Sequence, residues 1–265
     1  MPVDHLAIAL AVTVRHDGHG GVADDLADPA GLAAWVRLHA RELAEYGFAA
    51  ADLPSPPEGP GGPDLPDGSA ASDGSAESTR SAESTGSAGR HGPDADPVTT
   101  GAAPAGDGPH GTATGPAMLA AAVGVRTALR ALFARAVLPG APSKADAGRL
   151  PDAAAALDRL NAAAARVPVT HRLAWPPGAA PAAGYAVAGR HAPADLLAAA
   201  LARAGMAFLA GPDRPRLRAC PAPRCVRYFV QAHARQEWCK PSCGNRARVA
   251  RHHARHRDQP TDTPK

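Results

Sequence analysis

CPAPRC (residues 220–225) and WCKPSCGNR (residues 238–246) contain all four cysteines of this 265-residue chain. Their spacing, C-x4-C-x13-C-x3-C, makes two close pairs that a folded loop could bring around one ion. Zinc is the expected occupant, because Zn²⁺ takes four soft or borderline ligands in a tetrahedron. Four thiolates would also serve an iron–sulfur cluster, and two disulfides would use the same number of cysteines. The pairwise clustering favours Zn²⁺ held by Cys220, Cys225, Cys239 and Cys243. Between the pairs, Val226 to Val230 (VRYFV) reads as a strand. A polar turn and the returning Glu237-Trp238 would then complete a hairpin that brings the second pair beside the first. Pro221 and Pro223 stiffen the first loop. Pro241 suits the first turn of a helix that carries Cys243.

Downstream, Asn245 to Arg257 (NRARVARHHARHR) contains no helix breaker. On a helix, Arg248, His252 and Arg255 fall at i, i+4 and i+7 and share one face. Arg246 and Arg257 flank that face and Arg251 extends it. Val249, Ala250 and Ala254 would form a narrow apolar stripe against Tyr228, Phe229 and Trp238. From Arg214 to Arg257, eleven arginines and one lysine stand against a single acid, Glu237. That segment therefore carries +11 within a chain of net charge +3, which leaves −8 for the remainder. A charge run is usually a solvated face. Here almost no acid relieves the self-repulsion, and a phosphate polyanion is the favoured partner. Arg246, Arg248, Arg251, Arg255 and Arg257 are the candidate nucleic-acid contacts. Gly244 would permit close backbone approach, and Asn245 would cap or bond within the finger. His233, His252, His253 and His256 are surplus to a site already completed by four thiolates.

Upstream of the finger the composition changes twice. Of the 63 residues from 54 to 116, 38 are Pro, Gly, Ser or Thr, and SAEST occurs twice, at 75–79 and 81–85. Such a stretch cannot bury enough apolar surface to offset about 1–2 kcal/mol of backbone entropy per residue. It reads as a disordered insertion between two halves of one domain, 1–53 and 117–212. The finger follows at 213–257 and a disordered tail at 258–265.

In the first half, Leu6 to Val14 reads as a strand and His16 to Gly21 as a turn. Asp28-Pro29 then supplies an N-cap and a first-turn proline to a helix with Leu32, Trp35, Val36, Leu38 and Leu43 at helical spacing. In the second half, helices are expected over Met118–Leu138, Asp152–Val167 and Pro193–Leu209. Short strands at His171–Trp175 and Tyr185–Ala188 would pair. The fold class is α+β: a mostly helical N-terminal domain with a small sheet, plus a C-terminal four-cysteine zinc finger made of a hairpin and a basic helix.

Only ten of the residues are aromatic, so the core rests on Ala and Leu, as packed helices prefer. Three lysines stand against 25 arginines, and with that bias only the placement of the arginines is informative. No stretch is read as reaching the length of a membrane-spanning helix. The apolar run at Leu6 follows Asp4 and His5, not a positive region, and no A-x-A-like cleavage site follows it. A cytoplasmic location, with no membrane partner, is therefore expected. In a reducing compartment clustered cysteines are metal ligands more often than disulfides.

At this point the residues carry a resemblance. Cys220-Pro-Ala-Pro-Arg-Cys225, Trp238-Cys239 and Cys243-Gly-Asn-Arg246, followed by Arg-Val-Ala-Arg-His, resemble the CGNR zinc finger. In that family the finger follows an ABATE domain, in proteins described as stress-induced transcription regulators. Asp25-Leu-Ala-Asp-Pro29 with Trp35, and Leu157 with Leu160-Asn161, are similar to the ABATE pattern. The opening strand of that pattern reads L-x-L-D-F-V-N-T, whereas Leu6 to Thr13 here is LAIALAVT, with Ala9 and Val12 in place of the aspartate and asparagine. The resemblance implies zinc at the four cysteines and DNA contact by the arginine helix, and the chain is read as a non-enzymatic regulator with no catalytic residues. In that reading the N-terminal domain senses a ligand or forms a homodimer, although the sequence names no small-molecule effector.

Two other readings compete with a DNA-binding regulator. One is a zinc module for RNA or protein, with Tyr228, Phe229 and Trp238 exposed. The other is an enzyme with an accessory finger, using His16, Asp17, His19, Asp24 and Asp25. Loop solvation explains those last residues more simply.

Overall fold

The structure is a computed structural model and describes residues 5–19, 21–49, 52, 111–146 and 148–257. It opens with a helix, α1 (Leu6–Ala11), where the sequence predicts a strand. A short unbroken apolar run does not distinguish the two by periodicity. Here Leu6, Ala7, Leu10 and Ala11 are all buried, and Ala and Leu are strong helix formers. Thr13 Oγ1 donates to Leu10 O at 2.8 Å just past the helix end. The predicted turn at 16–21 then links β1 (Val14–His16) and β2 (Val22–Asp24), which pair antiparallel.

Asp28 caps α2 (Pro29–Leu38), its carboxylate accepting from Gly31 N at 2.7 Å. The helical periodicity continues across a break at His39 into α3 (Ala40–Glu45). Leu32, Trp35, Val36 and Leu43 face the core, but Leu38 is 76% exposed. It ends α2 on the side away from that buried stripe.

Three long helices form the centre. Helix α4 (Gly111–Ala136) begins upstream of the expected Met118, so the last six residues of the Pro/Gly/Ser-rich stretch are helical. Residues 54–110 of that stretch, and the tail 258–265, lie outside the described residues. Helix α5 (Ala153–Ala165) is capped by Asp152, and α6 (Pro193–Ala210) ends at Gly211. Helices α4 and α6 come close enough at Gly205 that a Cβ there would lie 3.2 Å from Leu129 Cδ1. Leu129, Phe133, Leu160, Leu197 and Leu201 fill the space between the three. The strands β3 (Val169–Ala174) and β4 (Ala182–Val187) pair as expected, His171 opposite Tyr185. The residues after α6 form a short 3-10 turn (Arg214–Arg216), then β5 (Leu217–Ala219), β6 (Tyr228–Val230) and α7 (Pro241–Arg257).

One expectation about membranes needs correcting. The segments Gly115–Ala136 and Pro193–Ala210 are long and apolar enough, by length and composition, to cross a membrane. In the fold 56% and 61% of those windows are buried, because α4 and α6 supply most of the core.

Helix α4 also carries charge into the interior. Arg126 and Arg130, one turn apart, are 5% and 3% exposed. Arg126 grips both carboxylate oxygens of Asp24 at 2.5 and 2.6 Å and donates to Thr13 Oγ1. Burial pushes the Asp24 carboxyl up, but the Arg126 hydrogen bonds win and hold it below the usual carboxylate range. Arg130 Nε donates to Asp146 Oδ1 at 2.8 Å and Nη1 to Ala11 O. Both arginines thereby pin the N-terminal segment to the helical core.

Candidate metal centre and basic helix

The finger is built on a hairpin, but on different strands from those expected. Strand β6 pairs with β5, upstream of the first cysteine, in the register Leu217↔Val230, Arg218↔Phe229 and Ala219↔Tyr228. The Cys220–Cys225 loop is therefore the hairpin turn, closed by Cys220 N donating to Arg227 O at 2.9 Å. Arg224 takes a left-handed conformation there, φ +61°. The second cysteine pair returns through the polar segment after Val230. Gln236 organises that segment, accepting from Ala232 N through Oε1 and donating to Trp238 O through Nε2. Gln231 Nε2 donates to Gln236 O at 2.8 Å. A lone polar side chain in a predicted turn gives no signal of such a role.

As expected, Pro241 starts α7 and Cys243 stands in its first turn. Gly244 packs against Trp238, where a Cβ would be 3.0 Å from the indole Cδ1. Any side chain there would push Trp238 away from the sulfurs.

The four cysteine sulfurs lie within 4.8 Å of one another. The separations Cys225–Cys239, Cys239–Cys243 and Cys243–Cys225 are 3.7, 3.5 and 3.8 Å. A tetrahedral ion with Zn–S bonds of about 2.3 Å sets its sulfurs about 3.8 Å apart, so the donor set fits zinc. All four thiols are free, and their spacing is far beyond an S–S bond; the two-disulfide reading does not hold. Hydrogen bonds from the Cys225 and Cys239 thiols pull the Cys220 thiol down to about 3. Cys239, as the donor, is pushed up. Among the described residues this is the one cluster of three or more metal-ligating side chains.

The candidate contact arginines divide. Arg246 turns inward, its Nη2 donating to Cys243 Sγ at 3.1 Å. Arg248 Nη2 donates to Asn245 Oδ1 and Arg251 Nε to Ala247 O at 3.4 Å. Arg248, Arg251 and Arg255 are exposed, and the side chain of Arg257 lies outside the described residues. The apolar stripe does not form. Val249 is 56% exposed and Ala250 and Ala254 are exposed too. Cys243, Gly244 and Ala247 face inward instead, so the fold holds α7 by its first two turns. Tyr228 is not beside α7 but inside the main core.

Four thiolates around a divalent ion leave a net charge of about −2, and Arg246 lies against it. Loss of a partner bonded to a metal ligand typically lowers metal affinity about 10–100-fold. Arg246→Ala is accordingly expected to weaken zinc retention by about tenfold in competition with a chromogenic chelator. Arg246→Lys should restore part of that loss, because it keeps the charge and loses the fork. An unchanged affinity in both variants would show that the contact does not support the metal.

A second set of residues, unremarked in the sequence, holds the finger. Ser143 Oγ donates to Val226 O at 2.8 Å, and Ser143 N donates to Tyr228 OH at 3.3 Å. Tyr228 OH in turn donates to Asp146 Oδ2 at 2.7 Å. Burial, then this carboxylate neighbour, pushes the Tyr228 phenol up. Lys144 Nζ donates to Ala222 O and Pro221 O at 2.7 and 3.2 Å, in the first cysteine loop. The segment 143–146 thus reads the backbone of the finger directly.

The residues of the enzyme reading are occupied structurally. Asp24 pairs with Arg126 and Asp25 with Arg15. Asp17 Oδ1 accepts from His19 N and Gly21 N, and His16 Nδ1 accepts from Gly18 N.

Comparison with known families agrees with this arrangement. Residues 4–212 match the family model ABATE, described as "Putative stress-induced transcription regulator". Residues 216–256 match the CGNR zinc finger. Neither is a family of enzymes. No curated relative matches the chain.

Proposed function

This chain belongs to the ABATE family, and we propose that it is a zinc-dependent, DNA-binding regulator of transcription. Zn²⁺ at Cys220, Cys225, Cys239 and Cys243 would fix the start of α7. Arg248, Arg251, Arg255 and Arg257 would then contact phosphates, and Arg246 would serve the metal site more than the DNA. The observation that carries this reading is the exposure of Arg248, Arg251 and Arg255 on a helix whose buried first turn carries Cys243 of the four-cysteine cluster. An arginine row on a helix that itself contains no acid suits a phosphate backbone, and guanidinium forks suit guanine edges. One short helix buries little surface, so a homodimer would raise affinity. The cytoplasm is the compartment this reading requires.

The test is the salt dependence of duplex binding by the zinc-loaded full chain. The full chain is needed because β5 and β6 pack into the main core. Log K should fall linearly with log salt, with a slope of about 0.9 per phosphate contact. Arg248→Ala/Arg255→Ala should flatten that slope by about 1.8 while leaving zinc content unchanged. Preferential binding of structured RNA or single strands in the same assay would replace DNA with RNA as the partner. Absence of nucleic-acid binding even at low salt would sink the reading.

A further inference from the structure

The histidines that the four-cysteine site leaves unused are not scattered along α7. His252 and His256 stand at i and i+4 and so project from the same side of the helix. Their rings have centroids 4.3 Å apart, and Nε2 of one faces Nε2 of the other at 3.1 Å. Both side chains are exposed. Among the described residues no acid forms an ion pair with either ring, and the hydrogen-bond contact of each ring is the other. His253 takes a different direction, its ring meeting that of His252 edge-on with centroids 6.0 Å apart.

The separation of the two Nε2 atoms is that of two ligands on one ion. Bonds of about 2.0–2.1 Å to imidazole nitrogen put two neighbouring ligands about 2.9 Å apart at a right angle and about 3.3 Å apart in a tetrahedron. The observed 3.1 Å lies between the two. Two neutral imidazoles can share a proton across such a gap as a hydrogen bond. An ion takes the Nε2 lone pair of both instead, each ring then carrying its proton on Nδ1. Histidines at i and i+4 are a spacing from which a helix can grip one ion.

We propose that His252 and His256 chelate a divalent late transition-metal ion, at a second site separate from the four cysteines. Two imidazoles fill two positions and leave the others to water. Imidazole suits Cu²⁺, Ni²⁺ and Zn²⁺, whereas Mg²⁺ and Ca²⁺ take oxygen ligands. Arg248 and Arg255, on the same exposed stretch of helix, repel any cation. Across solvent that repulsion is screened, so it leaves the site to ions whose bonds to nitrogen are strong. The ion would tie together consecutive turns at the end of α7, the part that the fold does not hold. The site involves neither DNA nor the four thiols, so it and the regulator reading can fail separately.

The experiment is calorimetric titration of the untagged, zinc-loaded full chain with Ni²⁺, with zinc content followed in parallel. One equivalent of nickel should bind saturably while the zinc stays. His252→Ala and His256→Ala should each weaken that binding by about tenfold or more, because the remaining imidazole has lost its chelate partner. His253→Ala should leave it unchanged, and excess Mg²⁺ should not compete. All three histidines are exposed, so the variants should keep the fold and the zinc of the parent. Four outcomes would overturn the proposal: no saturable nickel site, nickel that enters only as zinc leaves, undiminished binding by His252→Ala or His256→Ala, or a loss in His253→Ala as large as in those two.

Discussion

Removing zinc from the full chain is expected to melt more than the finger. Leu217 and Tyr228, on β5 and β6, are 0% and 1% exposed and belong to the main hydrophobic cluster. Tyr228 makes edge contact with Phe133 of α4 at 5.4 Å, and Phe133 does the same with Phe208 of α6 at 5.3 Å. The cysteine loop that zinc would close is the turn of that same hairpin. Structural zinc sites contribute about 10–16 kcal/mol of apparent binding free energy. Whole domains are stable by only about 5–15 kcal/mol. Metal loss therefore removes a term as large as the total. Cys243→Ser, or excess chelator on the parent chain, should lower the midpoint of thermal unfolding by about 15 °C or more. The helical signal of α4–α6 should be lost in one transition with that of α7. Calorimetry with and without chelator checks this. A core transition that stays at the holo temperature would mean that the hairpin detaches freely.

The second large effect is expected at Arg130. Its guanidinium meets Asp146, Ala11 O, Ser143 Oγ and Val226 O, and lies 5.3 Å from the Tyr228 ring. Both Arg130 and Asp146 are nearly inaccessible, at 3% and 4% of side-chain exposure. Buried pairs of this kind contribute little net stability compared with apolar residues, but breaking one leaves a charge in the interior. Arg130→Met should cost about 3–5 kcal/mol, or roughly 6–20 °C in the unfolding midpoint. Arg126→Met should cost less, since its partner Asp24 retains 36% exposure and water can take over. Asp146→Asn combined with Arg130→Met should recover part of the loss by removing the stranded charge. Equal losses in the Arg130 and Arg126 variants would argue against burial as the cause.

The sequence made legible what depends on short-range patterns. Asp28, Asp152, Pro193 and Pro241 marked helix starts because caps and first-turn prolines act within one turn. The four cysteines were legible because so few chemistries need that spacing. What it concealed depends on distant partners. LAIALA (residues 6–11) has the Ala and Leu of a good helix former, but a six-residue apolar run does not reveal that it packs on α4 and α6. The partner of β6 lies before the first cysteine and not after it, and the hydrophobic pattern alone does not select between the two. Arg126 and Arg130 did offer a hint, as charges at i and i+4 inside an apolar helix. Their acids, 102 residues upstream and 16 downstream, had no such mark.

The shared hairpin also limits how this protein can be re-engineered. A chimaera that grafted residues 213–257 onto another protein would import the four cysteines without Phe133, Ser143, Lys144 or Asp146. Tyr228 would then face water, and the carbonyls of Pro221, Ala222 and Val226 would lose their donors. The donor half would be left with an open hydrophobic seam where β5 and β6 had been. Substitutions on the outward side of α7 would leave these contacts in place, whereas exchanging modules would not.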